Sequence, residues 1–112
     1  MRKKQRKVSR LVAGEDFSFE GAFPVLERAV IGDKVVVLYD HMAFDKAKPA
    51  RNFFCYTKNG DLLWRAADLG GSSPDAYVGI LGTDPLWVSN FNGCDCRIDE
   101  NTGNVLKTKF TK

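Results

Sequence analysis

Apolar residues in this chain come in short runs separated by turn-forming clusters, and the runs alternate or fill completely rather than recurring every three to four residues. Residues 34–40 (KVVVLYD) place four aliphatics in a row, three of them β-branched, before a tyrosine. That run predicts a strand buried on both faces. Residues 26–31 (LERAVI) follow Pro24 and end on Val30-Ile31, which favours a strand, and Gly32-Asp33 supplies a tight turn. Residues 52–57 and 61–65 flank Lys58-Asn59-Gly60, a strand–turn–strand hairpin in which Asn-Gly provides the positive φ angles. Residues 77–81, 86–90, 94–98 and 104–110 read as four more strands. Thr83-Asp84-Pro85, Asn92-Gly93 and residues 99–103 turn the chain between them. Turns at this spacing, about 8–12 residues, predict an all-β domain with little or no helix. Two stretches lack a sustained period and read as loops, residues 41–51 and residues 66–76 with their Gly-Gly-Ser-Ser-Pro-Asp.

The pattern repeats. Residues 33–66 run Asp33, strand, loop, strand, Asn-Gly turn and Asp61-Leu62-Leu63-Trp64. Residues 84–110 run Asp84, strand, Asn-Gly turn, strand, Thr-Gly turn and Asn104-Val105-Leu106-Lys107. Thr57 and Asp99 match before their turns, Gly60 and Gly103 within them. The expected architecture is an antiparallel meander of two three- to four-stranded sheets packed face to face, with residues 17–31 covering an edge that would otherwise invite pairing.

These units resemble the β-propeller blades of quinoprotein dehydrogenases, which often end in Asp-x-x-Thr-Gly-x-x-x-Trp. Asp99, Thr102 and Gly103 fit that ending, with Lys107 at the tryptophan position, while Trp64 keeps the aromatic and its turn lacks the threonine. Two blades cannot close a ring that takes typically 4–8, so the resemblance implies a blade-like fold and carries no quinone cofactor. The body is also similar to small bacterial proteins that share Phe23-Pro24-Val25, Val35 to Asp40, Asn52 to Tyr56, Asn59 to Trp64, Tyr77 to Ile80, Asn90 to Gly93 and Ile98 to Leu106. Some of these act as immunity partners of polymorphic toxins, which implies a role in binding another protein.

Composition narrows the classes. With 112 residues the chain suits one domain at roughly 100–200 residues each. No apolar run reaches the ~18 residues of a membrane span. The first ten residues hold six of the 17 basic side chains, Arg2, Lys3, Lys4, Arg6, Lys7 and Arg10, leaving 11 against all 14 acidic residues and a net of −3 beyond them. Residues 1–14 therefore read as a basic, unstructured tail and 15–112 as the folded domain. The tail is either a solvated terminus or a nucleic-acid or membrane-surface arm that touches phosphates or anionic lipid by releasing counterions. Its charge is not followed by an apolar h-region, so export by a signal peptide is not expected. Three cysteines, Cys55, Cys94 and Cys96, lack the density of a disulfide framework, which places the protein in the cytoplasm.

Candidate chemistry is sparse. Cys94 and Cys96 share a strand face and read as core thiols, and His41 is too far in sequence from them to complete a metal set. Asp40-His41 is the one conceivable acid–base pair, without a nucleophile motif beside it. Glycines sit at turns, in no phosphate-binding arrangement. No cofactor, metal or catalytic residue is expected. Trp87 and Phe91 flank a turn, where either can serve as a binding anchor. Asp75, Asp84, Asp95, Asp99 and Glu100 gather near turns of the C-terminal half, either as an acidic patch for a basic partner or as ordinary turn residues. The reading that follows is a non-enzymatic protein-binding module, conceivably a toxin inhibitor, with nucleic-acid association through the arm as the alternative. Oligomeric state stays open.

Overall fold

The structure is a computed structural model that describes residues 23–70 and 75–111. Eight strands follow one another: β1 (Val25–Ile31), β2 (Lys34–Tyr39), β3 (Phe53–Thr57), β4 (Leu62–Arg65), β5 (Tyr77–Thr83), β6 (Leu86–Asn90), β7 (Cys94–Ile98) and β8 (Val105–Phe110). They form two four-stranded antiparallel meanders, β1-β2-β3-β4 and β5-β6-β7-β8, hereafter sheets A and B. The all-β expectation holds, and helical structure among the described residues amounts to a single 3-10 turn, His41–Ala43. Each repeat gains a fourth strand at its start, β1 in sheet A and β5 in sheet B. Residues 25–31 thus join sheet A as its first strand, paired along their length with β2. The basic residues 1–10, the rest of the tail, residues 17–22 and residues 71–74 lie outside the described residues.

The Asn-Gly turns work differently from the expectation of two left-handed residues. Only the glycines are left-handed, Gly60 and Gly93 each at φ 94°. Thr57 Oγ1 closes the first turn by accepting from the amides of Asn59 and Asp61, at 3.2 and 3.1 Å. One left-handed glycine after a type I turn keeps the strands in register just as well.

One apolar core fills the space between the sheets. Val36 and Leu38 of β2, Phe53 and Cys55 of β3 and Trp64 of β4 meet Tyr77, Leu86, Val88, Cys94, Cys96 and Ile98 of sheet B. Side chains alternate across a strand, so the remaining residues of β2 face the other way. There Val35, Val37 and Tyr39 are buried with Tyr56, against Phe23, Val25, Phe44 and Phe54. This is why β2 carries apolar side chains at consecutive positions: both faces are covered. The Tyr39 and Tyr56 hydroxyls meet at 2.6 Å in this second cluster.

Polar residues lock the sheets together where backbone would otherwise be stranded. Asn52, fully buried, donates to the carbonyls of Tyr39 and Tyr77 at 2.6 and 2.8 Å and accepts from the Tyr77 amide at 2.9 Å. It acts as a strand-like bridge between the end of β2 and the start of β5. Trp64 Nε1 donates to the Glu100 carbonyl at 2.8 Å, and Ala67 N to the Gly103 carbonyl at 3.0 Å. The Ile80 amide on β5 donates to Glu27 Oε1 of β1 at 2.7 Å.

Candidate functional site

The meander of sheet B brings the β5–β6 and β7–β8 turns to one end, because both connections leave strands running in the same direction. Between them lies a hollow of about 260 Å³, lined by Asp84, Pro85 and Leu86 on one side and by Arg97 to Asn101 and Leu106 on the other. The β7–β8 turn is set by its own backbone. Asp99 Oδ1 accepts from Asn101 N at 2.8 Å, the Asp99 carbonyl from Gly103 N at 2.8 Å, and Thr102 Oγ1 from Asn104 N at 3.2 Å. Gly103, at φ 81°, lies so close to Trp64 that a Cβ there would stand 2.6 Å from the ring. The acidic turn is therefore anchored to sheet A through the indole, and Glu100 extends from it into solvent.

Three of the seven candidate partner-binding residues, Asp84, Asp99 and Glu100, thus share this hollow, with Leu106 as its exposed apolar side chain and Arg97 the one cation of its lining. Lys34 reaches across from β2 to Asn101 Oδ1 at 3.4 Å. Carboxylates beside the exposed Leu106 side chain suit a long cationic side chain, whose stem packs while its tip pairs.

The other four lie elsewhere. Asp75 is a correction: it is only 8% exposed and belongs to the interior. Its Oδ1 accepts from Asn90 Nδ2 at 3.0 Å, its Oδ2 from Leu69 N at 2.8 Å and its carbonyl from Ala50 N at 2.9 Å, so it braces three loops instead of facing a partner. Asp95 lies mid-strand on β7, opposite Ser89 and Lys109 and away from the hollow. Trp87 projects from the outer face of sheet B, beside Arg97 in register. Phe91 is at the opposite end, exposed and stacked on the His41 ring with centroids 5.6 Å apart.

That stacking also separates Asp40 from His41. The Asp40 carboxylate caps the 3-10 turn by accepting from Met42 N at 2.9 Å, while the imidazole turns to Phe91. The cysteines are free and buried. Burial pushes the Cys55 and Cys96 thiols up to about 12, away from the thiolate that nucleophilic chemistry needs. Arg65 is a structural cation: it stacks over Phe54 at 5.0 Å and Phe44 at 5.8 Å and donates to the carbonyls of Arg51 and Ala50, both at 2.8 Å. Desolvation and the neighbouring Arg51 lower its pKa. No group of three or more metal-ligating side chains occurs among the described residues. Nor is any described helix long and apolar enough to cross a membrane.

The residues that sequence reasoning missed are Asn52 and Asn90, whose amides close the interior. An asparagine at a strand boundary signals a turn, and only the fold reveals that these two face inward. No curated protein and no solved structure matches the chain. A family model does, over residues 14–110, a span that includes every strand and the whole hollow.

Proposed function

The chain belongs to the family described as a domain of unknown function (DUF7957), and from that premise we propose that it is a non-enzymatic module that binds another protein through the acidic end of sheet B. The partner offers a basic surface, with a lysine or arginine entering the hollow between Asp84, Asp99 and Glu100. An immunity-type inhibitor of a bacterial nuclease toxin is the use that best suits this chemistry, because an enzyme that grips nucleic acid must expose cations that a carboxylate cluster can occupy.

The observation that carries the reading is the convergence of three acidic residues from two separate turns on one hollow. The β7–β8 turn, held by its own hydrogen bonds, presents Asp99 and Glu100 on a backbone that is already ordered, which lowers the cost of association. The supporting chemistry is also negative in kind: Asp40 and His41 are each engaged in separate contacts, and the thiols are buried.

The test is affinity capture from the source organism at about 150 mM salt. Full-length protein is compared with Asp84→Asn/Asp99→Asn/Glu100→Gln. A single basic protein held by the former and lost by the latter is the expected result. Equal capture by both rules out the acidic end as the binding surface.

A further inference from the structure

The outer face of sheet B carries a second, differently charged surface. Leu86 and Val88 of β6 and Cys96 and Ile98 of β7 point into the core, so Trp87, Ser89, Asp95 and Arg97 point away from it. Strand register aligns them in two rows. Gly82, Trp87, Arg97 and Lys107 form one, and Gly79, Ser89, Asp95 and Lys109 the other. Directly opposed side chains have Cβ atoms about 5 Å apart, so Arg97 flanks the indole and Lys107 stands one strand further, about 10 Å from it at the usual strand spacing.

Three features distinguish this face. Trp87 is only half-buried although it is among the largest side chains of the protein. Its direct partner on β5 is a glycine, Gly82, and the next residue of the same face, Ser89, is opposite another, Gly79. Gly82, directly opposite Trp87, adds no side chain over the indole. On the other side Arg97, Lys107 and Lys109 are exposed, and Asp95, opposite Lys109, is the only carboxylate in the two rows.

We infer that this face binds single-stranded nucleic acid, with a base stacked on Trp87 and the backbone phosphates on Arg97, Lys107 and Lys109. A flat aromatic platform with a cationic border is what sequence-tolerant single-strand binding requires, each stacked base adding affinity through its π-face and each phosphate through counterion release. The bases of a paired duplex are stacked on one another and so unavailable to the indole, which favours a single strand. Residues 11–112 are net acidic, yet the two rows hold three cations, Arg97, Lys107 and Lys109, against one carboxylate, Asp95. Arg97 also lines the acidic hollow, whereas Trp87, Lys107 and Lys109 do not, so variants at those three positions test this face apart from the hollow.

The full-length chain is titrated with an oligothymidylate of about 15 nucleotides, at about 50 and 150 mM salt, following tryptophan fluorescence. Trp64 is buried, so quenching reports Trp87. Saturable quenching is expected; the Trp87 variants lack the reporter, so their binding is read from the anisotropy of a dye-labelled oligothymidylate, with affinity weakened about tenfold by Trp87→Ala and less by Trp87→Phe, which keeps a ring to stack. Lys107→Glu/Lys109→Glu is expected to weaken binding similarly and to flatten the salt slope by about 1.4, at about 0.7 for each lost phosphate contact. Four results overturn the inference: no saturable binding, wild-type affinity in both sheet variants, loss only when Arg2, Lys3, Lys4, Arg6, Lys7 and Arg10 are replaced by glutamine, or equal binding of poly-glutamate, which would mark a site for an acidic protein.

Discussion

Gly103 and Asn52 are the two residues on which the joint between the sheets depends most. Gly103→Ala must adopt a left-handed φ and push its methyl into the Trp64 ring. It should cost about 3 kcal/mol, read as a lower urea midpoint at unchanged slope. Asn52→Ala removes three buried hydrogen bonds and strands the Tyr39 and Tyr77 carbonyls together with the Tyr77 amide. A loss of about 3 kcal/mol is expected by the same measurement. At this scale the sequence was least informative. Asn52, Asp75 and Asn90 have the composition of turn residues, and the same acidic type gives a buried brace at position 75 and an exposed hollow wall at position 84. Neighbours in space decide which, and these come from the other sheet.

Strands were far more legible than residues, for a physical reason: apolar runs of β-branched and aromatic residues between glycine turns have few alternatives. The doubly covered β2 could be read from Val35–Leu38 because only a strand buried on both faces tolerates four aliphatics in a row. The fourth strand of each sheet was less evident, since β1 and β5 precede the repeat and are mixed in pattern. Edge and centre also differ in energetics. Leu38→Ala, in the shared core, should cost about 3 kcal/mol, whereas Phe110→Ser on β8, where the ring is 81% exposed, should stay within about 0.5 kcal/mol. Chemical denaturation of the two variants side by side checks the contrast.

For the molecule as a whole, buried acids of high pKa set the alkaline limit. Cys55 and Cys96 are raised from an ordinary 9.0 to about 12 by burial, and Tyr39, Tyr56 and Tyr77 are raised mainly by the same desolvation. The folded state therefore keeps protons that the unfolded chain gives up. Stability from these thiols is complete below pH 9 and declines as the pH climbs toward 12, so denaturation midpoints should be flat to about pH 9 and then fall. The central claim is that two similar sheets make one cooperative unit, because Val36, Leu38, Phe53 and Trp64 share a core with Tyr77, Val88, Cys96 and Ile98. Equilibrium urea unfolding, followed together by tryptophan fluorescence and far-ultraviolet circular dichroism, tests it most directly. One transition with coincident midpoints is predicted; two separated transitions, one for each sheet, would contradict it.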